Sequence, residues 1–164
     1  MNKFLIVALI YIAAFAVSSV SLGKEMPHRL GVGIKDNTSE SIPSLAVIYH
    51  MGPGMAVTGG FGLDTKKNYS TSQFNAGLRY VIFHESNLHF FTGGQMALVT
   101  VENPVDGKNT GFEVQMTLGS EFFFAQLENV GFTFEGGLGL STIKDSRVRT
   151  IADHPLKAGI VFYF

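Results

Sequence analysis

The sequence predicts an all-β chain: an eight-stranded antiparallel up-and-down transmembrane β-barrel that follows a cleaved signal peptide. Three observations predict it. The final segment, Leu156 to Phe164, alternates strictly, with Leu156, Ala158, Ile160, Phe162 and Phe164 on one face of a strand and Lys157, Gly159, Val161 and Tyr163 on the other. Segments of the same kind recur upstream at about ten residues each, the length of a strand tilted across a bilayer. The chain opens with Asn2-Lys3, an uninterrupted apolar run from Phe4 to Val17 and small residues at Ser21 and Gly23, the layout of a secretory signal.

Taken in order, residues 1–23 form the signal peptide, and cleavage after Gly23 leaves 164 − 23 = 141 residues, one domain over 24–164. A retained membrane helix over Phe4 to Leu22 is the competing reading, and the serines and the small-residue site favour cleavage. The first strand, near His28 to Lys35, sets Leu30, Val32 and Ile34 against Gly31 and Gly33. The second, Ser44 to Met51, sets Leu45, Val47 and Tyr49 against Ala46, Ile48 and His50. The third runs from Met55 to Leu63 and the fourth from Gln73 to Phe83, where Phe74, Leu78 and Tyr80 oppose Gln73, Asn75 and Arg79. The fifth, Leu88 to Val101, carries apolar groups on both faces. In the sixth, Phe112, Val114, Met116, Leu118, Phe122 and Phe124 alternate with Glu113, Gln115, Thr117, Gly119 and Glu121. The seventh sets Phe132, Phe134, Leu138 and Leu140 against Thr133, Glu135 and three small residues, and the terminal segment is the eighth.

An even strand count puts both termini on one side. Short connections at Gly52-Pro53-Gly54, His84 to Asn87 and Ala125 to Val130 mark that side as periplasmic, and the segments Asp36 to Pro43 and Lys144 to Pro155 are expected as outer loops. Periodicity alone does not decide which face is outside, because a lipocalin-like barrel would place the apolar face around a ligand. The opposite face decides it. It is rich in glycine and small polar residues, and only 15% of the chain is charged, too little for a water-facing surface. The apolar face is therefore assigned to hydrocarbon.

Eight strands enclose room for side chains and not for a water-filled pore. By parity, Arg79, His89, Glu113, Glu121, Glu135 and Lys157 point inward as a lumen ionic network, the first two with Glu121 and Glu135 toward the periplasmic half and Glu113 with Lys157 toward the outer half. Isolated charges there would be costly, so pairing is expected. A salt-bridged plug is favoured over a gated polar path, since buried ionic groups have their best-attested role in specifying structure.

The terminal strand, with apolar residues at alternate positions back from Phe164, resembles that of bacterial outer-membrane β-barrel proteins, and the architecture resembles the small OmpA/OmpX-type barrels. The resemblance implies that Ile160, Phe162 and Phe164 form the assembly signal read by the barrel-insertion machinery, with periplasmic chaperones as partners on the way. It implies a Gram-negative outer-membrane location and contact with lipid and lipopolysaccharide. At the outer rim, Lys66, Lys67, Lys144, Arg147 and Arg149 are possible lipopolysaccharide contacts, since basic side chains pair with phosphate; solvated loop charges are the simpler reading.

Other chemistry finds little support. His84-Glu85-Ser86 superficially resembles the His-x-Ser element of lipid A deacylase barrels, but it falls in an expected periplasmic turn without the carboxylate that family places near its C-terminus. The five histidines form no close pair on one face, so no metal, cofactor or catalytic residue is assigned. With no cysteine, disulfides and a lipidated cysteine are both impossible, and the formal net charge of −1 gives no footprint for nucleic acid. The expectation is a monomeric, non-enzymatic barrel with a structural, envelope or surface-contact role; a lipid-modifying enzyme or a narrow solute or ligand conduit is the alternative.

Overall fold

The computed structural model describes residues 26–38, 40, 42–150 and 156–164; the expected signal peptide, residues 1–23, lies outside them. The described residues contain no helix and nine strands: β1 (Leu30–Asp36), β2 (Pro43–Gly52), β3 (Met55–Lys66), β4 (Tyr69–Glu85), β5 (Leu88–Asn103), β6 (Gly107–Phe124), β7 (Leu127–Ser141), β8 (Arg147–Thr150) and β9 (Lys157–Tyr163). Neighbours from β1 to β7 pair antiparallel in sequence order. β9 then pairs with both β7 and β1, which closes the ring. β8 lies against Leu138–Ser141 and β9 against Val130–Glu135, so the two lie end to end along β7. Together they make one stave in two pieces, and the barrel has eight staves.

The expected outer loop from Lys144 to Pro155 is thus corrected over Arg147–Thr150, which is strand β8. Four residues are too few to show a period, but the exposed edge of the long β7 supplies the backbone partners they need. The strands are also longer than their apolar stretches. β4, β5 and β6 have 17, 16 and 18 residues against 7 in β1 and in β9, so the β3–β4 and β5–β6 hairpins carry on beyond the apolar belt. Polar side chains such as Ser70, Thr100 and Lys108 continue these ladders because backbone pairing does not require apolar ones.

The lower turns contract accordingly. The expected turns His84 to Asn87 and Ala125 to Val130 are Ser86-Asn87 and Ala125-Gln126 alone, which places His84 and Glu85 at the end of β4. Two-residue turns match the twist of the flanking strands, and at the outer Lys67-Asn68 turn Asn68 takes a φ of 64°, a conformation Asn tolerates.

The closed sheet presents an apolar belt outward, including Phe74 at 62% exposure, Met116 at 73% and Leu118 at 64%. A bulge at Val81/Phe83 resets the alternation of β4 near the lower rim, which turns Phe83 outward, while β6 keeps its alternation through to the outward Phe124. At the seam, a Cβ on Gly33 would lie 2.0 Å from the Ile160 carbonyl oxygen, so only glycine lets β1 and β9 approach this closely.

Candidate functional site

The inward faces stack in layers whose order can be read along β5. From the outer end, Val101, Val99 and Ala97 join Ile143 in an apolar cluster; Gln95 follows, then Phe91 and His89. Lowest is a second apolar cluster that includes Met26, Ile48, Phe123 and Tyr163. The charged layer lies between these clusters, and Thr71, Gln73 and Glu113 stand in register with Val101, Val99 and Ala97 of the upper one; a low dielectric there strengthens each interaction and penalises each unpaired group.

The middle layer is a chain of charges. Lys35 Nζ donates to Glu135 Oε1 at 2.6 Å, and Arg79 Nη2 donates to the same oxygen at 2.8 Å. Arg79 Nη1 reaches Glu121 Oε2 at 3.3 Å, and the Tyr163 hydroxyl donates to Glu121 Oε1 at 2.6 Å. The guanidinium carbon of Arg79 stands 3.8 Å from the centroid of the Phe91 ring, a cation–π contact. The hydrogen-bonded residues come from β1, β7, β4, β6 and β9, and Phe91 adds β5, so one network ties six staves. Gly131 makes room for it: a Cβ there would meet Glu121 Oε1 at 2.6 Å and the Tyr163 ring at 3.1 Å.

Above it lies an amide layer. Lys157 Nζ donates to the Asn37 carbonyl at 2.6 Å and to Gln115 Oε1 at 2.7 Å; Gln95 Nε2 donates to Gln115 Oε1 at 2.6 Å, and the Gln115 amide donates to Glu113. Gln73 bonds Thr38 and Ser44 and donates to the Ile42 carbonyl at 3.1 Å. Asn37, Thr38 and Ile42 are buried, so the Asp36 to Pro43 segment is corrected from an outer loop to one whose described residues partly fold into the lumen. The reason is lateral: a short β1 stave leaves the mouth open beside taller strands, and the loop's polar groups satisfy glutamines that would otherwise be buried alone.

Arg79, Glu121 and Glu135 are therefore brought into direct contact, while Glu113 and Lys157 are linked through Gln115. The His89 ring packs tilted against Phe123 at 5.1 Å and His84 at 4.9 Å between ring centroids. Sequence reasoning missed Lys35 and Tyr163. The signal for both was the parity already in hand, since Lys35 continues Gly31 and Gly33, and Tyr163 continues Lys157, Gly159 and Val161. Counting them in, among the described residues the buried basic groups Lys35, Arg79 and Lys157 balance the buried acids Glu113, Glu121 and Glu135, 3 − 3 = 0. A cavity of about 10 Å³ between Arg79, Phe91, Gln95 and Glu135 has room for about one water.

Elsewhere, Ile160 and Phe162 face outward opposite Ile34 and Val32 of β1, and the Phe164 amide donates to the Leu30 carbonyl at 2.9 Å. At the outer rim Lys144 pairs with Asp106, Lys66 sits 3.2 Å from Asp64, and Arg147 lies 4.0 Å from Glu40. Lys67 is exposed in its turn. Arg149 stands in register with the inward-facing Gly139, so its side chain starts on the lumen side of β8. Arg147 and Arg149 are thus strand residues and not the loop residues expected. Around Asp106, the hydrogen bond from Lys144 holds the carboxyl below its ordinary range, and the same bond raises Lys144. Among the described residues no group of three or more histidine, cysteine or acidic side chains is placed to hold a metal.

Two solved structures share this arrangement. The N-terminal β-barrel domain of Pseudomonas aeruginosa OprF matches 84% of this chain and 98% of its own, with a TM-score of 0.66 and 11% identity. Neisserial surface protein A (NspA) matches over 83% of this chain and 94% of its own, with a TM-score of 0.54 and 16% identity. No family model and no curated protein sequence matches. With the closed ring and the inside-out polarity described above, the chain has the eight-stranded fold of the small OmpA/OmpX-type outer-membrane β-barrels.

Proposed function

We propose that this chain is a monomeric, non-enzymatic integral protein of the bacterial outer membrane, exported by a cleaved signal over residues 1–23 and serving a structural, envelope or surface-contact role. The observation that carries the reading is the polarity of the barrel, with a belt of large apolar side chains outside and, among the described residues, six buried Lys, Arg and Glu residues inside. In water that arrangement would expose a continuous apolar belt far larger than a soluble surface carries. In a bilayer it is what the solvent requires. The packed lumen, with apolar clusters at both ends and a water-sized cavity between, favours a plug over the alternative of a solute conduit.

On this reading the lower rim faces the periplasm, the strand that carries Ile160, Phe162 and Phe164 is what the insertion machinery binds, and lipid and lipopolysaccharide surround the belt. Membrane fractionation tests it, combined with electrophoresis of boiled and unboiled protein. A closed barrel opens slowly, so unboiled protein should run at a different position and stay with the outer membrane after a urea wash. Release by urea with identical mobilities would overturn the reading. A lipid-hydrolysis assay on the refolded barrel tests the enzymatic alternative, and turnover there would establish it.

A further inference from the structure

The outer mouth holds a second, separate site. Above the apolar cluster that caps the lumen, a recess of about 210 Å³ opens toward the outer side, floored by the side chains of Val101 and Ile143. Tyr69 of β4 forms one wall, and Glu40, Lys144 and Arg147 stand around it. The floor is apolar and itself nearly covered, and the Tyr69 ring, 40% exposed, adds the larger apolar surface, so a hydrocarbon group seated between them would leave water.

Each cation around it stands beside a carboxylate. Lys144 is held by Asp106, which is itself fixed by an Asn103 amide bond of 3.3 Å. Arg147 Nη2 and Glu40 Oε1 stand 4.0 Å apart, too far for a hydrogen bond, so guanidinium and carboxylate face the recess without closing on each other. Lys144 and Arg147 against Glu40 and Asp106 sum to 2 − 2 = 0. A net anion would meet two carboxylates as well as two cations. A molecule with both charges and an apolar group would match all three features together.

We propose that this recess binds a small amphipathic zwitterion of the α-amino acid class, with its carboxylate on Arg147 and Lys144, its ammonium on Glu40 and an apolar side chain on Val101 and Ile143 beside the Tyr69 ring. The site goes beyond a structural role and requires only the folded barrel, so it stands or falls separately from the membrane location.

The test is titration of the refolded full barrel in lipid nanodiscs with free L-phenylalanine, read by two-dimensional NMR of the Ile143 and Val101 methyl groups. Saturable shifts at those methyls are expected. Phenylacetate, which lacks the ammonium, phenethylamine, which lacks the carboxylate, and glycine, which lacks the ring, should each bind at least about tenfold more weakly. Arg147→Gln and Glu40→Gln lie at the rim, away from the lumen network, and each should lower the affinity for L-phenylalanine by about tenfold with gel mobility unchanged. Absence of saturable shifts, equal binding of phenylacetate, or full affinity in both variants would overturn the assignment.

Discussion

The hydroxyl of Tyr163 donates to Glu121 Oε1 at 2.6 Å inside the barrel, one residue before Phe164 points to the outer, apolar face at 78% exposure. Adjacent residues of one strand thus belong to different environments, and their removal should have different consequences. Tyr163→Phe keeps the ring and takes away one donor from a buried carboxylate, a loss of about 1–3 kcal/mol. The urea midpoint of the refolded barrel should fall while the amount inserted in cells stays near wild type. An unchanged midpoint would show that the bond contributes nothing.

Deleting Phe164 should do the reverse. Full burial of such a ring is worth about 1.5–3 kcal/mol, and this one is largely uncovered by protein, so the finished barrel should unfold near the wild-type midpoint. If the terminal aromatic is the assembly signal, insertion in cells should drop sharply, with protein degraded or left in the periplasm. Normal insertion would count against the outer-membrane reading itself.

Glu135 accepts from both Lys35 and Arg79 on one oxygen. Glu135→Gln leaves two buried cations facing an uncharged amide, and breaking a buried pair in this way costs about 3–5 kcal/mol. The variant should be the least stable of the single lumen substitutions by urea unfolding. Wild-type stability would mean that Glu121 alone neutralises the layer.

Lys66, Lys144 and Arg147 already lie near carboxylates of the chain. Replacing Lys66, Lys67, Lys144, Arg147 and Arg149 together with Gln should therefore reduce lipopolysaccharide retention by less than about fivefold, the scale of a single exposed ion pair. A larger fall, measured by co-purification, would establish the rim as a phosphate site.

The Lys144–Asp106 pair joins the β5–β6 and β7–β8 turns and has a defined pH window. Asp106 is depressed below 3.8 by its bond to Lys144, so its contribution is present above that value and is lost as pH falls through the lower, folded-state one. Lys144 is raised above 10.5 by the same bond, so its contribution is present below 10.5 and is lost as pH rises through the higher value. Backbone amide shifts of Asn103 and Asp106 should be flat between these limits and move outside them. A transition near neutral pH would show that another group controls the turn.

The sequence by itself determined the faces of the eight alternating segments. A two-residue period is a local property, so Phe112 to Phe124 declares its two faces without reference to any partner, and an even count of such segments is compatible with a closed up-and-down sheet. The inward set was legible by the same parity, including Lys35, which the alternation of β1 reaches one step after Gly33. Which inward groups meet was decided only by tertiary structure. Arg79, Glu121 and Glu135 are far apart in the chain, and the stagger of tilted strands, which no single segment records, sets them at one height. The same holds for the chain between β1 and β2 and for β8. Polar residues there give no period, and their positions follow from unpaired backbone and amide groups on neighbouring staves that had to be satisfied.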